Sequence, residues 1–494
     1  MKLSPQQAAA VEAVATTNQS IVLESVAGSG KTTTLIEMLQ VAKGSVAFCA
    51  FNKAIAQEID YKVSKKNLGD KVKVSTIHAF GFGAIRRSVS RVKVDGNKLR
   101  NLAREEFTGE YQHLQQFVVS AAAMAKEVGI GACVENDKNS WVEMFDHYNI
   151  WDNLPHDVSD DTAIDAAQYL LKASNNLRQI IDFSDMIYMP ILNKMKIWQY
   201  DTVLLDEAQD TNGPRRELVK MILKKGGRLI AVGDPRQSIY GFTGADHQSL
   251  ENIKEEFNAI TLPLSVTFRC PKEVVKVANR WVSHIEAAST APEGIVDSCE
   301  LQDVYKLVSQ DDAIICRVTK PLIQMAYSLI RRSIPCRVEG RSIGEGLVKL
   351  AQRWKVKTCA QLQDKLDLWK EKEIEKYQEK GNDSKCQIIE DQAETLSVFI
   401  SECKFDDPIS TLIEKIRSLF DDTEGQQKVL TLSTIHKSKG REWNRVFALG
   451  IDTYSPSKYA KKDWEIVQEQ NLTYVQVTRA KNHLTMVNVT EKVK

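Results

Sequence analysis

The amino-acid sequence predicts an α/β protein with parallel sheets, and three observations support this fold class. A glycine-rich turn, Ser25–Thr32, stands between an apolar run and a helical pattern, in the order strand, turn, helix. The apolar runs Ser45–Ala50 and Thr202–Leu205 are short and continuous, as strands buried on both faces are. The chain has 494 residues, which is long for one core, so we expect two or more domains.

The turn Ser25–Thr32 has the composition of a phosphate-binding loop. Its glycines allow backbone N–H groups to surround an anion, and the N-terminus of the following helix adds a partial positive charge. In such a loop Lys31 would reach the β- and γ-phosphates of a nucleotide, and the Thr32 hydroxyl would bind Mg²⁺. Ser25 stands where the strict Walker A pattern has glycine. For so short a motif, an ordinary glycine-rich connection is the alternative.

Charge and cysteine content restrict the class of protein. Lysine and arginine total 66 and aspartate and glutamate 65, so the net charge is +1 and any nucleic-acid surface must be local. The nine cysteines form no Cys-x-x-Cys pair and no cluster at zinc spacing, so we expect reduced thiols and a cytoplasmic protein. The N-terminus has no signal-peptide core, and no stretch is long enough to span a bilayer.

In the first half of the chain, several predicted strands end in side chains suited to nucleic acid. A helix begins near Ser4 or Pro5, and the strands Ser45–Ala50 and Val72–Thr76 each run into a helix with an aromatic residue close by. Aromatic rings on which bases stack, beside polar and basic groups for the phosphates, suit a single strand of nucleic acid. For each strand end taken alone, ordinary loop residues are the alternative.

Residues 90–178 have helical periodicity without a chemical motif, so we expect a mostly helical insertion, followed by Asp182–Met186 at the start of another helix.

The strand Thr202–Leu205 then ends in a carboxylate pair, Asp206 and Glu207. Such a pair next to a phosphate loop is the Mg²⁺-binding and water-activating arrangement of P-loop NTPases. The next predicted strand, Arg228–Asp234, opens into a loop with a glutamine and two aromatic residues.

The second half contains fewer motifs. Strands are predicted at Ala313–Arg317 and Ile334–Val338, and a helical, charged pattern extends from Leu347 to about Glu424. Mixed charges at this density are typical of a solvated helix face, and a DNA-contacting role is the less favoured alternative.

Taken in order, these motifs resemble those of the UvrD/Rep/PcrA-like helicases of superfamily 1A. The motifs are VAGSGKT, AFNKA, TIHAFG, DFSDM, DEAQDTN, VGDPRQSIYGF, LSVTFR, LSTIHKSKGREW and YVQVTRA. The resemblance covers essentially the whole chain. It implies two RecA-like parallel-sheet motor domains of the P-loop NTPase class, each with a helical insertion.

The domain boundaries expected from this resemblance divide both motor domains. The first, which would bind ATP, comprises residues 1–90 and 179–262, with a helical insertion at 91–178. The second comprises residues 263–346 and 426–494, with a reduced helical insertion at 347–425. Such insertions cost little entropy once both of their ends are anchored.

The resemblance also implies the residues that bind and hydrolyse ATP with Mg²⁺. Lys31, Thr32 and Asp206 would hold the phosphates and the metal, and Glu207 would polarise the attacking water. Gln237 would contact the γ-phosphate, and Arg269 and Arg479 would act as arginine fingers from the second domain. The remaining nucleotide contacts implied are Gln7 and Phe268 at the adenine, Glu442 near the ribose, and the loop residues Ala27, Gly28, Ser29, Gly30 and Thr33.

For single-stranded DNA and duplex junctions, the resemblance implies contacts from both halves of the chain: Phe51, Asn52, Lys53, Thr76, His78, Tyr240, Phe242 and His436. The chain departs from the family at two places. Phe242-Thr243 stands where Trp-Arg is usual, which predicts weaker stacking, and Gln476 replaces a small residue before Arg479.

The function expected is that of an ATP-dependent DNA helicase that translocates 3′→5′ on single-stranded DNA. A 5′→3′ helicase is the closest enzymatic alternative, but its typical Gln-Leu-Pro-Pro loop is replaced here by Gln237-Ser238-Ile239-Tyr240. An ATP-switched clamp that does not unwind DNA is the alternative of another class. Glu207, Arg269 and Arg479 argue against a clamp, because a switch needs no fast hydrolysis.

Overall fold

The computed structural model describes residues 3–241, 248–379, 382–420 and 429–489, and for Ser384 the backbone only. It confirms the predicted fold class, because two six-stranded parallel sheets are each surrounded by helices. The chain divides into two compact units, Met1–Ser25 with Gly30–Leu264 and Val26–Ser29 with Ser265–Lys494. No helix among these described ranges combines the length and the apolar character that crossing a membrane requires.

The helices and strands follow each other along both units. The helices are α1 Pro5–Thr16, α2 Lys31–Val41, α3 Lys53–Lys65, α4 Ile77–Ser88, α5 Lys98–Glu106, α6 Gln115–Val128, α7 Lys138–His147, α8 Asp160–Asn176, α9 Asp185–Leu192, α10 Gly213–Ile222, α11 Ser249–Glu256, α12 Lys272–Ala278, α13 Val304–Leu307, α14 Thr319–Arg331, α15 Arg341–Ala351, α16 Cys359–Glu379, α17 Asp383–Ser401, α18 Ile409–Leu419, α19 Ile435–Ser438, α20 Ile451–Tyr454 and α21 Asp463–Val477. The strands are β1 Ile21–Ser25, β2 Val46–Ala50, β3 Val72–Thr76, β4 Lys93–Val94, β5 Ile180–Ile181, β6 Tyr200–Leu205, β7 Leu223–Gly233, β8 Ile260–Leu264, β9 Val266–Thr267, β10 Glu286–Ala287, β11 Ile295–Glu300, β12 Ala313–Cys316, β13 Cys336–Val338, β14 Leu430–Thr434, β15 Trp443–Leu449 and β16 Ala480–Asn488.

The sheet of the first unit has the strand order β3-β2-β6-β7-β1-β8, and all of its pairs are parallel. Side chains in its central strands, such as Val22, Phe48 and Leu204, are completely buried because helices cover both faces. The predicted strands in this half of the chain coincide with β1, β2, β3, β6 and β7. Pro263 lies in the edge strand β8, where a missing backbone donor is tolerated.

A helical segment with its own core lies between β4 and β5. The rings of Phe117, Trp141 and Phe145 pack edge to face in this core, with centroids 5.5 Å and 5.7 Å apart. The short parallel pair of β4 with β5 brings the two ends of the segment together. The helical character predicted for residues 90–178 is therefore confirmed, while the domain boundaries remain predictions.

Four buried charged residues, which we call the lysine–aspartate cluster, attach this segment to α9. They are Lys98, Lys126, Asp182 and Asp185. The Lys98 ammonium lies 2.7 Å from Asp185, and the Lys126 ammonium lies 2.6 Å from Asp182 and 2.7 Å from Asp185. The two aspartates also accept hydrogen bonds from each other's backbone N–H groups, at 3.0 Å and 2.9 Å. The run Asp182–Met186, singled out in the sequence, thus has a structural role.

The sheet of the second unit has the strand order β11-β16-β15-β12-β14-β13, and all of its pairs are parallel. The predicted strands near residues 314 and 335 correspond to β12 and β13. Gln476, the departure noted before Arg479, is fully buried in α21, and its side-chain amide donates to the carbonyl of Ile315 in β12 at 2.8 Å. The glutamine therefore ties α21 to the centre of this sheet.

The charged stretch that begins at Leu347 contributes to the same core as the sheet. Leu362 and Leu366 of α16, with Leu396 and Phe399 of α17, are fully buried in one hydrophobic cluster with Ile314 of β12. Because the apolar face of these helices completes that core, α16 and α17 are integral to the second unit. The extent of a separate insertion at 347–425 remains a prediction.

We expect Phe399→Ala to lower the free energy of unfolding by about 3–5 kcal/mol, the usual cost of a cavity left by a buried aromatic ring. Leu368→Ala on α16 is the control, because Leu368 is 63% exposed and should change stability by no more than about 0.5 kcal/mol. Denaturant unfolding of the two variants measures the difference. Equal, small effects would show that α17 does not belong to this core.

Candidate ATP and DNA site

The predicted phosphate loop connects β1 to α2 and has the backbone that such a loop needs. Gly28 and Gly30 adopt positive φ angles of 72° and 77°, which side chains with a Cβ atom rarely tolerate. Gly30 caps α2, and Lys31 is the first residue of that helix. The loop therefore leads directly into a helix N-terminus, whose partial positive charge favours an anion.

The carboxylate pair Asp206–Glu207 follows the end of β6, and Lys31 lies beside it. The Lys31 ammonium is 3.4 Å from the Glu207 carboxylate, and the Glu207 backbone N–H donates to Asp206 at 3.0 Å. Burial, and then the charge of Glu207, raise the pKa of Asp206 to about 7. Burial lowers the pKa of Lys31. The pKa nevertheless stays above its ordinary value, because three carboxylates favour the charged ammonium: those of Glu207, Asp234 and Asp206.

A second group of polar residues lies at the end of β7 and was only partly predicted. The Gln237 amide donates to the Asp234 carboxylate at 2.7 Å, and the Asp234 backbone N–H donates to the side chain of Gln209 at 3.0 Å. Gln209 also donates to Glu207, so it connects the ends of the neighbouring strands β6 and β7. Gln209 belongs to the run Asp206–Asn212, in which only the carboxylates of Asp206 and Glu207 were predicted to be functional.

These residues fit a nucleotide phosphate with Mg²⁺. Two adjacent carboxylates, one of them with a raised pKa, carry an excess of negative charge that a divalent cation would compensate. Mg²⁺ usually takes one or two carboxylates together with substrate phosphates, so Thr32 and Asp206 are a sufficient protein contribution. Within the described ranges, no group of three or more His, Cys, Asp or Glu side chains is arranged around a metal position.

The other side of the carboxylate pair borders a cavity of about 250 Å³, which we call the aromatic pocket. Phe51, His78 and Tyr240 line it together with Asp206 and Glu207. The rings of Phe51 and Tyr240 are nearly parallel, at an interplanar angle of 16°, with centroids 6.4 Å apart. Burial, and then the charge of Arg215, lower the pKa of His78, so its imidazole is neutral at pH 7.

The remaining predicted DNA contacts of the first unit lie at helix starts. Asn52 accepts a hydrogen bond from the Ile55 N–H at 2.9 Å and caps α3, and Thr76 accepts one from the Ala79 N–H at 3.2 Å and caps α4. Lys53, the first residue of α3, is exposed. Phe242 lies outside the described residues. The structure thus gives Asn52 and Thr76 a capping role in addition to the predicted one.

Gln7, predicted to contact adenine, lies in the first turn of α1. Its side-chain oxygen accepts from the Ser4 N–H at 3.0 Å, and the Ser4 hydroxyl accepts from the Gln7 N–H at 3.2 Å. This reciprocal capping box fixes the start of the helix and the orientation of the buried Gln7 side chain.

Four of the residues predicted to act on the nucleotide lie in residues 265–494 of the second unit: Phe268, Arg269, Glu442 and Arg479. The Arg269 guanidinium donates to Glu442 at 2.7 Å and, more weakly, to the Thr478 carbonyl at 3.4 Å. Although burial acts in the opposite direction, Arg269 holds the pKa of Glu442 below its ordinary value. Arg479 is buried, and its guanidinium donates to the carbonyls of Val475 and Arg441 at 3.0 Å and 3.2 Å. Phe268, next to Arg269, is 49% exposed.

His436, the predicted DNA contact in this unit, follows β14 and is close to a residue that the sequence analysis missed. Burial, and then the charge of Arg317, lower the pKa of His436 to about 3. Arg317 makes a two-pronged ion pair with the buried Glu469 of α21, at 2.7 Å and 3.1 Å. Its position just after the apolar strand β12 was the available signal.

Comparison with known families gives matches over both halves of the chain. Residues 3–258 match the family described as "UvrD/REP helicase N-terminal domain". Residues 341–491 match the family described as "UvrD-like helicase C-terminal domain".

Similar proteins carry names from the same group. The "ATP-dependent DNA helicase Rep" of Buchnera aphidicola subsp. Acyrthosiphon pisum (strain APS) is 24% identical, over 96% of this chain and 93% of that protein. Rep of Escherichia coli (strain K12) is 28% identical over 58% of this chain, and the "ATP-dependent DNA helicase PcrA" of Bacillus subtilis (strain 168) is 25% identical over 55% of it. The chain spans 44% and 39% of the lengths of these last two relatives.

Proposed function

Because the chain belongs to the UvrD/REP helicase family, we propose that it is an ATP-dependent DNA helicase that moves 3′→5′ along single-stranded DNA and unwinds duplexes. One observation carries the proposal. Asp206 and Glu207 lie beside Lys31 of the phosphate loop and also line the aromatic pocket. In this proposal a single strand end would border both the ATP phosphates and the DNA, which supports coupling of hydrolysis to movement.

In this proposal the residues of the first unit position the phosphates and the water. Lys31 neutralises phosphate charge, Thr32 and Asp206 hold Mg²⁺, and Glu207 orients and polarises the attacking water. The metal, when bound, neutralises charge that develops on the phosphate oxygens. Asp234 orients the Gln237 amide through the 2.7 Å hydrogen bond, so that the amide can respond to the γ-phosphate. The loop residues Ala27, Gly28, Ser29, Gly30 and Thr33, with Gln7, complete the nucleotide contacts proposed around the phosphate loop.

Arg269 and Arg479 of the second unit are proposed as arginine fingers, with Phe268 and Glu442 at the base and ribose. The Arg269 guanidinium forms an ion pair with Glu442 at 2.7 Å. Because a finger stabilises charge only in the transition state, both arginines should affect turnover more than substrate binding.

Single-stranded DNA is proposed to pass Phe51, Asn52, Lys53, Thr76, His78, Tyr240, Phe242 and His436. The 6.4 Å separation of the nearly parallel Phe51 and Tyr240 rings suits stacking with bases, since each base presents a π-face. Burial keeps His78 neutral, so it offers a hydrogen bond and no charge to the strand.

The proposal is tested by two linked measurements on the full chain. ATPase activity is measured with and without a single-stranded oligo(dT), and unwinding is then compared on duplexes with a 3′ or a 5′ single-stranded tail. We expect stimulation by oligo(dT) and unwinding of the 3′-tailed duplex. Unwinding that requires a 5′ tail would overturn the polarity. ATP-dependent DNA binding without stimulated hydrolysis would instead indicate a clamp.

We expect Tyr240→Ala to weaken binding of oligo(dT) by about 1–3 kcal/mol, the contribution attributed to one stacked base. Tyr61→Ala is the matched control, because Tyr61 on α3 is 60% exposed and lies outside the aromatic pocket. Fluorescence anisotropy at fixed salt measures both affinities. If both variants bind as the unaltered protein does, Tyr240 does not stack on DNA.

A further inference from the structure

Arg215 of α10 lines the aromatic pocket beside the catalytic carboxylates, and no role has been assigned to it so far. Its Nη1 group donates to the carbonyl of Asp210 at 2.8 Å, in the short turn that follows Asp206 and Glu207. Its buried Nε–H makes no hydrogen bond within the described part of the chain. Arg215 therefore directly contacts the turn Ala208–Asp210, which we call the catalytic turn, and keeps a donor for a further partner.

Glu127, the residue that faces Arg215 from the other side, belongs to the helical segment. Its carboxylate lies 3.7 Å from the Arg215 guanidinium. The same carboxylate accepts from the Asn212 amide at 3.0 Å and from the Ser184 hydroxyl at 2.6 Å. Asn212 in turn caps α10, accepting from the Arg215 N–H at 3.0 Å. Glu127 thus holds α6, α9 and the start of α10 in one arrangement.

Arg215 and Glu127 also influence the pKa of His78, which lines the aromatic pocket. After burial, the charge of Arg215 is the largest influence that lowers the pKa of His78, and Glu127 acts in the opposite direction. A DNA strand in the pocket brings negative charge toward Arg215, which competes with Glu127 and with the Asp210 carbonyl for the guanidinium. Any shift of the guanidinium changes the support of the catalytic turn, which directly follows Asp206 and Glu207.

We propose that Arg215 is a positioning residue that couples occupancy of the aromatic pocket by single-stranded DNA to the catalytic turn, with Glu127 of the helical segment as its counter-ion. The proposal rests on the proposed function, since it assigns a regulatory role within the same site. It commits to the DNA strand as the ligand that Arg215 senses. The helical segment then influences ATP hydrolysis through Glu127.

The test compares the stimulation ratio in the unaltered protein and five variants. This ratio is kcat with saturating oligo(dT) divided by kcat without DNA. Arg215→Gln removes the charge and Arg215→Lys retains it. Lys220→Gln on the same helix is the control, because Lys220 pairs with Glu217 and Glu256 and does not line the aromatic pocket. Glu127→Gln has Glu143→Gln as its control, an exposed residue of α7. Thermal unfolding and half-saturating oligo(dT) concentrations are measured for each.

We expect Arg215→Gln to lower the stimulation ratio by about tenfold, within the usual range of coupling between sites. Arg215→Lys should restore part of it, and both controls should match the unaltered protein. An unchanged stimulation ratio would overturn the proposal, including the case in which kcat with DNA and kcat without DNA fall by the same factor. A higher half-saturating DNA concentration with an unchanged ratio would also overturn it, because Arg215 would then bind DNA without transmitting anything.

The double variant Glu127→Gln/Arg215→Gln tests whether Glu127 acts through Arg215. We expect it to match Arg215→Gln alone, because the effects of two residues in one path do not add. Additive losses would overturn the role of Glu127. An unaltered protein that shows no stimulation by DNA would contradict the proposed function itself, which separates that failure from failure of the coupling.

Discussion

Glu207→Gln is expected to lower kcat for DNA-stimulated ATP hydrolysis by about 10²–10⁴-fold, the range typical for loss of a positioned general base. Glutamine has the size of glutamate but cannot accept a proton from the attacking water. Lys31, Thr32 and Asp206 remain, and removal of the Glu207 charge relieves its repulsion of Asp206. The variant should therefore still bind nucleotide, as titration with a fluorescent ATP analogue measures.

Glu12→Gln supplies the control for this comparison, because Glu12 is exposed on α1 and the same chemical change there should leave kcat unaltered. The two measurements separate binding from chemistry. Loss of nucleotide binding by Glu207→Gln would assign Glu207 to the binding of phosphate or metal. Near-normal turnover would remove it from the catalytic step.

Asp185→Asn is expected to lower the free energy of unfolding by about 3–5 kcal/mol, because it leaves a buried ammonium without its partner. Lys98 is buried and pairs with Asp185 at 2.7 Å, whereas Lys126 would keep Asp182. Burial already lowers the pKa of Lys98, and Asp185 is the first influence that opposes this effect. Asparagine preserves the shape, so the loss would reflect charge and not packing.

Chemical denaturation followed by tryptophan fluorescence measures this loss, since Trp141 and Trp151 report on the helical segment. Asp161→Asn is the control, because its ion pair with Lys138 lies on the surface and should contribute no more than about 1 kcal/mol. If the two variants were equally stable, the lysine–aspartate cluster would not hold the segment to α9.

The amino-acid sequence by itself determined the class of fold and predicted which residues bind phosphate. Continuous apolar runs predicted the buried parallel strands, because strands covered on both faces need no polar alternation. The loop Ser25–Thr32 and the pair Asp206–Glu207 were recognisable because phosphate binding depends on local backbone freedom and on residue type, both of which are local in the sequence.

Only the tertiary structure decided which distant residues act together. Lys126 and Asp182 pair across 56 positions, and Glu127 and Asn212 across 85, so no periodicity in the chain could have indicated either contact. The sequence predicted a helical, charged stretch after Leu347, but it did not indicate that Phe399 of α17 is buried in one hydrophobic cluster with Ile314 of β12. A local pattern reports how much of a helix is apolar, but the neighbour that buries its apolar face is fixed only when the whole chain has packed.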